Sequence, residues 1–115
     1  MNLEQLLNTL NTAPETVAVA DVIAVIDEAY VFTATAFKNG NTQNDAGSNN
    51  GSCKIFAFAK IHQLSKEETL SCFGKYYSED VLKNPSGEDH QNIRNFMAKG
   101  WEGIKFDGDA LHKKR

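Results

Sequence analysis

Lysine and arginine are missing from residues 1–30, where five acids stand alone: Glu4, Glu15, Asp21, Asp27 and Glu28. Over all 115 residues the net charge is −3, so the chain carries no global basic field and nucleic acid is not an expected partner. Cysteine is scarce. Cys53 and Cys72 are the two present and no CxxC occurs, which excludes a disulfide scaffold. No apolar run approaches the ~20 residues of a membrane span, so no membrane partner is expected. The opening MNLEQLL lacks both the basic and the apolar region of a secretory signal. The expected compartment is a reducing cytosol, or whatever a signal-independent export route reaches. No HExxH is present, and aligning Asn41, Gln43 and Asp45 to a calcium loop puts Ala46 at the glycine position and Ser52 at the bidentate acid. No metal and no cofactor are expected.

What is present is a globular balance, with 41% hydrophobic and 23% charged residues. The length fits one domain over residues 1–115. Leu3, Leu6, Leu7 and Leu10 recur at helical spacing. Thr12-Ala13-Pro14-Glu15 reads as a capping box for a second helix that continues through Val19, Val22, Ile23, Ile26 and Tyr30. From Val31 to Lys38 the period shortens to that of a strand, stopped by Asn39-Gly40 and paired with Gly103–Gly108. Residues 52–63 are apolar nearly all round a helical wheel, which favours a central helix, although the alternation of Phe56 and Phe58 would also suit a strand. Ser65-Lys66-Glu67-Glu68 caps a helix expected to bury Leu70, Phe73, Tyr76 and Tyr77. Asn84-Pro85-Ser86-Gly87 is a turn, and Glu88 or Asp89 opens a last helix with Ile93, Phe96 and Met97 inward and Gly100 as its stop. The basic end His112-Lys113-Lys114-Arg115 reads as a frayed, solubilising tail. The fold class is α+β: a compact, mainly helical single domain with a small two-stranded β element.

Two polar clusters adjoin this core. The stretch NGNTQNDAGSNNGSCKIFAFAK runs from Asn39 to Lys60 and sets the most polar segment against the most apolar one. Ser52 or Asn50 can cap the central helix, and the same free N–H groups can face an anion. Cys53, in that first turn, and His90 form a candidate thiol and base for a hydrolase or transferase. A buried free cysteine is the commoner outcome. In the second cluster, Asp89, His90, Asn92 and Arg94 crowd the start of the last helix. With Asn49, Asn50 and Ser52 they make a candidate ligand cleft, Arg94 offering a bidentate clamp.

The segments NNGSCKIFAFA, TLSCFGKYY, NPSGEDHQNIRNFM and GWEGIKFDGDAL together resemble the HopJ family of bacterial type III effector proteins. The likeness spans nearly the whole chain. It implies a protein of the bacterial cytoplasm that is translocated into a host cell, or a bacterial relative of such proteins. The expected partner is a host protein or, from the helix starts and Arg94, a small anionic ligand. The resemblance implies no catalytic residue. The expected activity is binding; the alternatives are the thiol enzyme and an anion- or nucleotide-binding regulator.

Overall fold

The computed structural model describes residues 1–114. Helix α1 (Leu3–Thr12) opens on a capping box: the Asn2 side chain accepts from the Gln5 amide while the Gln5 side chain accepts from the Asn2 amide. The box expected at Thr12–Glu15 does not form. Thr12 ends α1, Pro14–Thr16 make one 3₁₀ turn, and α2 (Val19–Ala29) starts later, after an extended Ala18. The cause is a distant contact. Gly74 sits at φ +55°, where a Cβ would stand 3.1 Å from the Val19 nitrogen and 3.3 Å from the Val17 oxygen. Backbone meets backbone there, which holds residues 17 and 18 extended and sets the start of α2 at Val19.

The expected strand Val31–Lys38 is two strands in two sheets. β1 (Tyr30–Phe32) pairs antiparallel with β5 (Leu111–Lys113), and β2 (Phe37–Asn39) lies between β3 (Thr42–Asn44) and β4 (Ile104–Phe106). Residues 103–108 therefore do supply a partner, with Phe37 opposite Phe106. β3 arises inside the Asn-rich stretch, where Gly40 at φ +59° allows a two-residue turn that sets Asn39 opposite Thr42. The tail is not frayed through Lys113, because β5 ties it to β1; Arg115 lies outside the described residues.

The central helix α3 (Asn50–Ile61) forms as expected, with Cys53 and every residue from Ile55 to Ala59 buried. The helix after Ser65 is shorter than its pattern: α4 (Lys66–Ser71) stops before Gly74, and a π-helical segment (Tyr76–Val81) follows. Phe73 is buried, whereas Tyr76 is 47% exposed and Tyr77 half-buried. Helix α5 (Gln91–Lys99) ends at Gly100, φ +61°, and a 3₁₀ turn leads into β4. The chain is thus α+β and mainly helical, with one core shared by all five helices.

One core-edge pair sets a pH response. The Tyr30 hydroxyl lies 2.7 Å from His62 Nε2, beside the Phe58 ring. Burial raises the Tyr30 pKa and lowers that of His62, so the neutral hydroxyl donates to a neutral imidazole. In the unfolded chain His62 protonates at its ordinary 6.5. The unfolded state then binds more protons below that pH, so stability falls as pH drops from 6.5 toward the lower folded value. Denaturant midpoints across this range should show the fall, and His62→Gln should flatten it.

Candidate functional site

The asparagines of the loop find one another. Asn44 Nδ2 donates to Asn92 Oδ1 at 3.0 Å and Asn92 Nδ2 donates back to Asn44 Oδ1 at 2.9 Å, a reciprocal amide pair. Asn39 Nδ2 donates to the Asn92 backbone carbonyl at 2.8 Å and to Asn92 Oδ1 at 3.0 Å. Asn49 Nδ2 reaches Asn44 Oδ1 at 2.7 Å, and Asn95 donates to the Asn39 carbonyl and to Thr42 Oγ1. Asn39, Asn44 and Asn92 are all buried. The network staples the β2–β3 hairpin to α5 and pairs these buried side-chain amides except at Asn39 Oδ1.

The staple brings two helix starts to one cleft. Asn49 precedes α3 at φ 53°, ψ 47°, and His90 precedes α5 at φ 51°, ψ 47°; both are left-handed and neither end has a side-chain cap. The expected capping by Asn50 or Ser52 is therefore absent, because both lie inside the first turn of α3. Non-glycine residues in this region store strain of about 1–2 kcal/mol each, less for asparagine. Both starts open on a cleft of about 890 Å³. Its polar end has Thr42, Asn49, Ser52, His90 and Asn92; its apolar walls come from α2, through Ala20, Ile23 and Ala24, and from Ile55, Phe73 and Ile93.

His90 is held at the mouth. Its Nε2 lies 3.0 Å from Asp80 Oδ2 and 3.9 Å from Asp89 Oδ2, and its ring stacks on Tyr76 at 5.1 Å. Asp27 lines the same cleft and is bonded to Lys54 at 2.8 Å.

Of the candidate residues, the cleft thus gathers Asn49, Ser52, His90 and Asn92. Asn50 is exposed beside it. Arg94 points elsewhere: its guanidinium donates to the carbonyls of Asn84, Pro85 and Asp89 and to Asp89 Oδ1 at 2.7 Å. A Cβ on Gly87 would come within 2.7 Å of Nη2, so the turn closes tightly on this group. Arg94 holds the 84–89 turn, and the bond to Arg94 keeps the Asp89 carboxyl below its usual range. Sequence reasoning missed the α2 wall and Asp80. The small residues Ala20 and Ala24, four apart on one face of α2, were the available signal.

Cys53 is 1% exposed and does not line the cleft. Its Sγ lies 3.5 Å from the Thr35 carbonyl. Burial pushes the thiol up, and its backbone contact at Thr35 offsets only part of that. Cys72 is pushed up to about 12, by burial and then by the Glu68 charge. Neither environment favours the thiolate that nucleophilic chemistry needs. Both thiols should react with a maleimide only as fast as the protein unfolds; prompt native-state labelling of Cys53 at neutral pH would restore the thiol-enzyme reading. Among the described residues no three His, Cys, Asp or Glu side chains gather as a metal site, and no helix is long and apolar enough to cross a membrane.

No curated protein matches the chain. Among solved structures it is similar to the crystal structure of VPA0580, a protein of unknown function, at 57% identity and a TM-score of 0.97, over 99% of this chain and 95% of that one. Residues 3–111 match the family model described as HopJ type III effector protein, and the chain belongs to the HopJ family.

Proposed function

We propose that the protein is a binding module whose cleft takes an apolar group carrying a carboxylate or carbonyl. The convergence of two uncapped helix starts on one partly apolar cavity carries this reading. Helix N-termini present free N–H groups and the positive end of the dipole, so an acceptor oxygen is favoured there. The facing walls of Ile23, Ile55, Phe73 and Ile93 suit a branched aliphatic body.

4-Methylpentanoate supplies both parts in one small probe. Added to isotope-labelled protein, it should shift the amides of residues 50–53 and 91–93 with a saturable, millimolar affinity, and Ala24→Trp should abolish the shifts. Shifts scattered over the surface, or none at saturation, would sink the reading.

Membership of a family described as type III effectors supports synthesis in a bacterial cytoplasm and delivery into a host cell. A fused reporter enzyme active only in host cytosol should report delivery from bacteria with a working secretion apparatus and not from those without it. Equal signals from both would overturn delivery by that route.

A further inference from the structure

We infer that the occupant of this cleft is a peptide segment of a partner protein, with apolar anchors and flanking lysine or arginine. This rests on the cleft's being a binding site, and it follows from the length of the apolar surface and the charge around it.

The cleft does not end at its apolar wall. A second cavity of about 650 Å³ runs along Pro14–Ala20 and Gly74–Ser78, and the two share Val19, Ala20 and Tyr76. Together they form one trough. From Val19 to Asp27 it follows roughly 12 Å of α2, and the preceding 3₁₀ turn adds roughly 6 Å. An extended chain covers that length with about six residues, whereas one small aliphatic acid fills only one end.

The sill between the cavities is Tyr76, 47% exposed with its ring stacked on His90. It lies on the π-helical segment, an irregularity frequent at functional sites. An exposed aromatic ring held in place loses little entropy when a partner covers it.

Charge selects the class of peptide. On one side Asp27 of α2 lines the cleft, with the exposed Asp21 and Glu28 on the same helix, and Glu15 lines the far end. On the opposite side Asp80 and Asp89 flank the cleft-lining His90, and the exposed Glu79 and Glu88 stand next to them in the chain. Of the nearby bases, Lys54 is bonded to Asp27 and Arg94 to Asp89, while Lys75 lines the second cavity. An excess of carboxylates remains on both sides, which raises the local concentration of a cationic segment and disfavours one with several acids, while a single acceptor oxygen still meets the N–H groups of the helix starts. Backbone carbonyls of that segment supply the acceptors for the helix starts.

Two labelled peptides test this: acetylated Leu-Lys-Leu-Lys-Leu-Lys-Leu amide and its counterpart with Glu in place of Lys. The lysine peptide should bind at least about tenfold more tightly, shifting resonances of residues 14–27 and 74–78. Ala20→Trp plugs the junction from an exposed helix position and should weaken binding by about tenfold or more. Should that variant fail to fold, Tyr76→Ala is read instead, with a several-fold loss expected. Equal binding of the two peptides, shifts confined to other surfaces, or indifference to both substitutions would overturn the inference. If 4-methylpentanoate binds and the lysine peptide does not, the peptide inference falls and the cleft reading stands. If the peptide binds the trough without disturbing residues 50–53, the acceptor reading falls instead.

Discussion

Phe56→Ala should lower stability by about 3–5 kcal/mol, the cost of a cavity at a fully buried aromatic. Phe56 is 0% exposed and sits where several elements meet. Its ring centroid lies 6.0 Å from Phe37 on β2, 5.4 Å from Phe73 after α4, and 5.0 Å from Phe96 on α5. Phe96 in turn meets Trp101 edge-on at 5.1 Å, and Phe37 stacks on Phe106 at 5.3 Å. These rings join α3, α5 and the three-stranded sheet, so their neighbours cannot collapse into the space without moving backbone. Tilted and edge-on aromatic pairs add about 0.5–1.5 kcal/mol each beyond area burial, which places the expected loss in the upper part of its range. Urea unfolding at fixed pH measures it. An unchanged midpoint would show that α3 is not the helix around which the core forms.

That helix was legible in the sequence, although the alternation of Phe56 and Phe58 also suited a strand. Ile55-Phe56-Ala57-Phe58-Ala59 leaves no polar face, and a helix without one has to be central. The end of α5 was legible too, since Gly100 supplies a positive φ where periodicity stops. Other features depend on partners far along the chain. Alternation through Val31–Lys38 continues across the switch between sheets, so period alone could not show that Phe32 pairs with Leu111 and Phe37 with Phe106. β3 reads Thr-Gln-Asn and has no apolar signal; amides of α5 hold it. The Tyr76-Tyr77 pattern looked helical because nothing local reveals that Gly74 must admit the backbone of residues 17–19. The site divides the same way. A crowd of asparagines beside a core was visible, whereas the division into stapling amides and cleft-lining amides was not.

Asn92→Ala should cost about 2–4 kcal/mol, from an orphaned buried donor and a small cavity. Asn92 Oδ1 accepts from both Asn39 and Asn44, and Asn92 Nδ2 donates to Asn44 Oδ1. Removing the amide leaves Asn44 Nδ2 without its partner at a residue only 1% exposed, while Asn39 Nδ2 keeps the Asn92 backbone carbonyl. Asn39 Oδ1 is already an acceptor without a donor there, and Asn44 Oδ1 is left with Asn49 as its one side-chain donor, so the loss falls on a network already short of donors. Asn50→Ala is the contrast. Asn50 is exposed in the first turn of α3, and its loss should stay within about 0.5 kcal/mol. Asn92→Asp separates hydrogen bonding from volume. It keeps the one oxygen that accepts both bonds but turns its second carboxylate oxygen toward Asn44 Oδ1, so burial and repulsion raise the new carboxyl's pKa in the folded state. The folded form then binds a proton more tightly than the unfolded one, and the variant should lose stability as pH rises through that raised value. Because the same amides place Thr42 and Asn92 in the cleft wall, the unstable variants should also lose the response of residues 91–93 to 4-methylpentanoate before they unfold. Comparable unfolding midpoints for Asn92→Ala and Asn50→Ala would mean that the amide network does not hold the hairpin to α5.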